Sequence, residues 1–235
     1  MKTQKEKSII LSLRSLSEYD SILTLFGEET GLFRAVVRGI RRPKSRLCGI
    51  LQPFTEVISE WIPPRSGNGL ARYIRAEYVA PPPSSFDPVL LFLSEMVEKG
   101  SVEHTPNIHL YEILRGVSLA RFPERLVGIF VVQLLTLSGL LPSFALCAHT
   151  KEKHCTDGWW REDGAIVSFF PKNEGAIPLA FSEIKTLRYW QDAPLSVSER
   201  IALPKESERR ILQFLFALLE NRHGIRLASK ILLNF

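Results

Sequence analysis

Six cations fall within thirteen residues: Arg34, Arg38, Arg41, Arg42, Lys44 and Arg46, with no acid between Glu29 and Glu56. Like charges so confined repel one another unless an anion neutralises them. On a strand, Arg34 and Arg38 share a parity and project from one face. Arg41, Arg42, Lys44 and Arg46 then continue into a loop that Pro43 stiffens. Such a run can also be a solvated hairpin with no partner, but the lack of a local counter-charge favours a polyanion. A basic loop beside a barrel face is a device for tracking a phosphate backbone. Six phosphate contacts would give a fall of log affinity with log salt at a slope of roughly −4 to −5. Aromatic residues are interleaved with the cations. Phe33, Phe54 and Trp61 fit a barrel core, whereas Tyr73, between Arg72 and Arg75, is the candidate for stacking on bases.

No other constellation carries a reaction. The chain has no GxxxxGK[ST] loop, no GxGxxG, no HExxH and no GxSxG. Its aspartates are scattered, and only Asp157 and Asp163 are close in sequence. No paired carboxylates for acid–base or metal-assisted work are visible, so no enzymatic activity is expected. Cys147, His149, His154 and Cys155 form the one metal-like cluster. Their C-x-H-x4-H-C spacing differs from the C-x2-C pairs of a zinc ribbon, and the adjacent trailing ligands make tetrahedral closure awkward. No metal or other cofactor is expected.

The elements that must position the cations lie in the first third of the chain. Ser8–Leu16, Ser21–Phe26, Gly31–Ile40, Ile50–Ile62 and Leu70–Val79 read as strands. Gly-Glu-Glu-Thr-Gly at 27–31 and Ser-Gly-Asn-Gly at 66–69 are hairpin-type connections. Five short strands without a convincing helix predict a small barrel, most simply an OB-fold. Three prolines at 81–83 punctuate the chain and place a domain boundary at residue 80. Beyond it, 87–99, 108–120, 124–141 and 206–221 carry helical periodicity, and 143–182 reads as an irregular or short β insertion. The fold class is therefore α+β and multi-domain, with a barrel over 1–80 and a mostly helical domain over 81–235.

Composition agrees with this division. The chain has 235 residues, 45% of them apolar, and a net charge of +5. Residues 1–80 hold 13 basic and 8 acidic side chains, and 81–235 hold 17 of each, so the whole excess belongs to the barrel. Three cysteines are too few for a disulfide scaffold, which favours a reducing cytosolic setting, and no signal peptide is evident. Leu126–Ala148 is uncharged, but Pro142 divides it, so a buried core helix is expected rather than a membrane span.

Val36–Phe54 (VVRGIRRPKSRLCGILQPF) closely resembles the N-terminal signature of the RecO family of bacterial recombination mediators. Ser17–Arg34 (SEYDSILTLFGEETGLFR) resembles that family's first hairpin, Phe130–Phe144 its central helix, and His223–Lys230 its C-terminal helix. The resemblance is dense over 8–60 and loose afterwards. It implies an N-terminal OB domain, a helical domain, binding of single- and double-stranded DNA, and annealing of complementary strands. It also implies work with RecR, and in some bacteria RecF, in loading RecA onto strands coated by single-stranded-DNA-binding protein (SSB), and contact with the SSB C-terminal tail. A bacterial, cytoplasmic, nucleoid-associated DNA repair and recombination protein follows. The family's DNA contacts map onto Arg34, Arg38, Arg41, Arg42, Lys44 and Arg46. The rival reading is a scaffold whose OB domain docks acidic proteins rather than DNA. Many members carry a four-cysteine zinc motif after the central helix, and this chain departs from it, with Cys147 near the first position but no C-x2-C pair.

Overall fold

A computed structural model describes residues 2–64, 69–82, 88–118, 120, 126–153, 157–160, 166–167, 176–222, 224 and 228. The chain divides into two compact units, Met1–Ala120 and Arg121–Phe235.

The first unit is built on five strands: β1 (Gln4–Ser15), β2 (Ser21–Gly27), β3 (Gly31–Val37), β4 (Glu56–Ile62) and β5 (Ala71–Ala80). They close into a barrel in the order β1-β2-β3-β5-β4, with β4 returning to β1. β1 is long enough to serve both neighbours. Gln4–Ile9 pairs with β4 and Ser8–Ser15 with β2, and a bulge between Ile10 and Ser12 bends the strand between them. Closure comes from a short parallel pairing of β3 with β5, Ala35 opposite Ala71 and Val36 opposite Arg72. This is the topology of an OB-fold.

Alternation along the strands fills the barrel with Ile10, Leu23, Leu25, Phe33, Ala35, Val37, Val57 and Trp61. Phe33 and Trp61 stack with ring centroids 4.6 Å apart. The buried Glu6 carboxylate accepts hydrogen bonds from the backbone N–H of Glu29 (2.8 Å) and Thr30 (3.0 Å) and from the Thr30 hydroxyl. The turn at 27–31 is thereby tied to β1. The second expected hairpin, 66–69, is described only at Gly69.

Two strands are shorter than the sequence predicts. β3 stops at Val37 rather than Ile40, because Gly39 turns the chain at φ +65. β4 starts at Glu56 rather than Ile50. A turn closes at Leu47–Leu51, and Phe54 takes φ +61 while its ring is wholly buried. Residues 38–55 are therefore a long connection of turns, not two strand ends.

Helices α1 (Pro88–Gly100) and α2 (Ile108–Ser118) belong to the same compact unit as the barrel. The Ser94 hydroxyl donates to the Leu11 carbonyl at 2.8 Å, and the Tyr111 hydroxyl donates to buried Glu56 at 2.9 Å. Burial, and then the Glu56 carboxylate, push the Tyr111 phenol well above its usual range, so it stays a neutral donor. Between α1 and α2, Glu103 bridges to Leu32 in parallel, and the His104 N–H donates to the Leu32 carbonyl at 2.8 Å. This connection runs along β3 at Gly31, which has φ +74.

In the second unit, α3 (Leu126–Leu137) is buried on all sides from Leu126 to Leu135. It packs with α4 (Phe181–Asp192), α5 (Leu195–Ser198) and α6 (Lys205–Ala217), and a π-helical turn follows at Leu218–Arg222. Among the described residues no helix is long and apolar enough to cross a membrane. The expected stop at Pro142 is overtaken by Gly139. Its φ of +66 and the Leu140 N–H bond to the Leu135 carbonyl end the helix earlier. Gln133, within this apolar helix, donates to the carbonyls of Trp190 (3.3 Å) and Ala193 (2.9 Å) at the end of α4. Sequence periodicity missed α4, whose stripe of Ile184, Leu187 and Trp190 is diluted by charges. The insertion holds β6 (Gly158–Trp160), β7 (Ile166–Val167) and β8 (Ile177–Leu179) in the order β7-β6-β8.

Replacing Gly31 by Ala places a Cβ 2.1 Å from the Thr105 carbonyl oxygen at a backbone angle that only glycine adopts freely. Chemical denaturation should show a loss of roughly 2 kcal/mol or more, because the α1–α2 connection must leave β3.

Candidate nucleic-acid interface

The interface begins with what holds the 38–55 connection in place. Near its start Ile40, and near its end Leu51 and Phe54, are buried in the barrel unit, and Leu47 and Ile50 pack partly against the same core. Between these apolar anchors, Arg38, Arg41, Arg42, Lys44 and Arg46 are exposed. Local turns order the segment. The Arg42 N–H bonds the Gly39 carbonyl (3.2 Å), the Ser45 N–H bonds the Arg42 carbonyl (2.9 Å), and the Leu51 N–H bonds the Leu47 carbonyl (2.9 Å). Apolar and basic residues thus alternate by role: Ile40, Leu47, Ile50 and Leu51 attach the segment, and the cations face water.

A second segment braces it. The β1–β2 turn, 16–20, closes on itself through the Leu16 N–H and Ser17 N–H to the Asp20 carbonyl. Register then carries it to the basic segment, since Ser21 lies opposite Val37. The Asp20 carboxylate accepts the Gly39 N–H at 2.8 Å, and the Tyr19 carbonyl accepts the Arg41 N–H at 3.1 Å. The Arg41 guanidinium donates to the Ser15 hydroxyl at 2.8 Å and the Ser17 carbonyl at 3.4 Å. The Arg42 guanidinium lies over the Tyr19 ring, 5.5 Å from its centroid.

The six expected cations divide. Arg34, half-exposed on β3, forms an ion pair and hydrogen bond with Glu103 from the α1–α2 connection. The counter-charge absent from the local sequence is supplied by an acid distant along the chain. The other five, Arg38, Arg41, Arg42, Lys44 and Arg46, have no ion pair among the described residues. Sequence reasoning also missed an exposed cation, Arg72, which pairs with Val36 across the β3–β5 closure.

Tyr73 is not a stacking surface. Its side chain is 5% exposed, and its hydroxyl lies 3.0 Å from the Ser59 hydroxyl inside the barrel. Alternation explains this: Arg72 points outward, so Tyr73 points in, and a bulge between Glu60 and Trp61 shifts the register so that Arg75 is also outside.

The remaining candidates lie in the second unit. Cys147 is buried there, its backbone N–H bonded to the Glu152 carbonyl. Its expected companions His154 and Cys155 lie outside the described residues. Arg210, on α6, forms a 2.7 Å ion pair with buried Glu183 and another with Glu206. It belongs to the packing of α4 on α6.

Fold and site together define the class: a closed OB-type barrel that carries a braced basic segment, in a chain with a second, helical unit. Residues 1–82 match the family model described as Recombination protein O N terminal, and residues 89–231 match Recombination protein O C terminal. The chain belongs to the RecO family of DNA repair proteins. It is 24% identical over 237 residues to the DNA repair protein RecO of Bacillus subtilis (strain 168), covering 96% of this chain and 92% of that one. It is 25% identical over 244 residues to the protein of the same name from Bacillus pumilus (strain SAFR-032), covering 98% and 93%. It is 29% identical over 238 residues to that of Listeria monocytogenes serotype 4a (strain HCC23), covering 97% and 92%.

Burial pushes the Tyr73 phenol up to about 12, partly opposed by the Ser59 hydroxyl. The unfolded chain ionises first, near 10, so the stability this group contributes is intact below pH 10 and is lost between pH 10 and 12. Tyr73→Phe should therefore show a shallower alkaline loss of stability in denaturant titrations, with oligonucleotide affinity unchanged.

Proposed function

We propose that the protein is a non-enzymatic mediator of recombinational DNA repair. It binds single- and double-stranded DNA through the 38–46 segment, anneals complementary strands, and assists RecR in loading RecA onto SSB-coated DNA. The observation that carries this reading is the set of five exposed cations without ion pairs among the described residues, held on an OB barrel by apolar anchors. Arg38, Arg41, Arg42, Lys44 and Arg46 supply phosphate neutralisation, and Arg34, already paired with Glu103, supplies less. Phosphate contacts fix a strand without reading its sequence. Annealing needs two strands held close, their charge screened and their bases free to pair, and it needs no covalent step. The near-neutral remainder of the chain serves protein partners: RecR, RecF where it is used, and the SSB C-terminal tail. This work belongs to the bacterial cytosol, at the nucleoid.

Reversing charge in R38E/R41E/R42E tests the assignment. Each side chain is exposed, so the unfolding midpoint should change little. Binding to single strands at low salt should fall by about 100-fold or more. Annealing of complementary strands, bare or SSB-coated and with or without RecR, should fall with it. Unchanged DNA binding beside lost RecR or SSB binding would favour an acidic-protein dock instead.

A further inference from the structure

We propose that Tyr19 is a base-stacking residue that gives the interface its preference for unpaired strands. The inference rests on the polynucleotide-binding reading above and names what that site recognises beyond phosphate.

Tyr19 is 42% exposed, and Leu16 on the same turn is 51% exposed. Neither is needed to fill the barrel, which is packed by other residues. The turn that carries the ring is nevertheless held in place. The carbonyl of Tyr19 accepts the Arg41 N–H, the next residue's carboxylate accepts the Gly39 N–H, and the Arg41 guanidinium reaches back to the Ser17 carbonyl. An aromatic side chain on a pre-ordered turn loses little conformational freedom when it meets a ligand. Tyr19 is thus held against the basic segment, with the Arg42 guanidinium over its ring.

The charges around the ring divide the labour. Arg38, Arg41 and Arg42 lie on the loop side, and Asp20 is occupied by the Gly39 N–H. Glu18, exposed on the turn itself, repels a phosphate from that side. Phosphates are therefore drawn to the loop and not to the turn, which leaves the ring for a neutral flat group. In a single strand that group is a nucleobase, and any base can serve because each has a π-face. In a duplex the bases are already stacked on one another, so the ring gains nothing there.

The test compares Tyr19→Ala and Tyr19→Phe with the parent chain on an oligothymidylate and on a blunt duplex of equal length. Y19A should lose about 5- to 150-fold in single-strand affinity, the range for one stacked base. Its duplex affinity should stay within about twofold, and its salt slope should match the parent's, because no phosphate contact is removed. Y19F should keep the single-strand affinity. An oligonucleotide carrying 2-aminopurine should be quenched by the parent and by Y19F, and not by Y19A. Unchanged single-strand binding by Y19A, or an equal loss on both substrates, would overturn the stacking role. If R38E/R41E/R42E loses both substrates while Y19A keeps both, the phosphate reading stands and this inference fails. A parent protein that binds neither substrate would overturn both.

Discussion

Five cations confined to nine residues, Arg38 to Arg46, repel one another, and a free loop carrying them would spread into solvent. The interface depends on overcoming that repulsion before any ligand arrives. Ile40 near the start and Leu51 and Phe54 near the end are held in the barrel unit, so the segment cannot leave without exposing apolar surface. The β1–β2 turn adds directional bonds to Gly39 and Arg41. Burial supplies the attachment, hydrogen bonds supply the shape, and the charges are left unspent for a polyanion. Phe54, a buried aromatic held at φ +61, marks how strictly the end of the segment is fixed.

The same economy distinguishes Arg34 from its neighbours. It lies on β3, where the α1–α2 connection runs alongside and Glu103 meets it. Gly31 permits that close approach, since any Cβ there would collide with Thr105. One cation of the cluster is thus committed to holding the helices to the barrel. Tyr111 and Glu56 do the same with a buried neutral donor and a carboxylate. In the other unit, the Glu183–Arg210 pair and Gln133 perform the corresponding task between helices. There Arg210 serves packing rather than a polyanion.

Much of this was legible in the sequence. The charge asymmetry, the barrel and the basic segment can be read from local composition and alternation, and the family from the resemblance carried by Val36–Phe54. What could not be read depends on residues distant along the chain. Glu103 lies far from Arg34, so the pair is invisible to a local charge count. Tyr73 looked exposed because two arginines flank it, yet the bulge between Glu60 and Trp61 places both outside and the ring inside. Tyr19 carries no signal of its own in the sequence, and the hairpin register brings it beside Arg42. Helix ends shifted where Gly139, rather than the more conspicuous Pro142, took a left-handed conformation. One resembling segment, His223–Lys230, lies largely outside the described residues.

The central claim is that a pre-ordered set of five cations meets phosphates. The most direct measurement is the salt dependence of oligonucleotide binding by the intact protein. Five contacts to a single strand give a slope of log affinity against log salt of roughly −3 to −4. A slope between zero and about −1 would contradict the account, because binding would then owe little to the exposed arginines and lysine of the barrel.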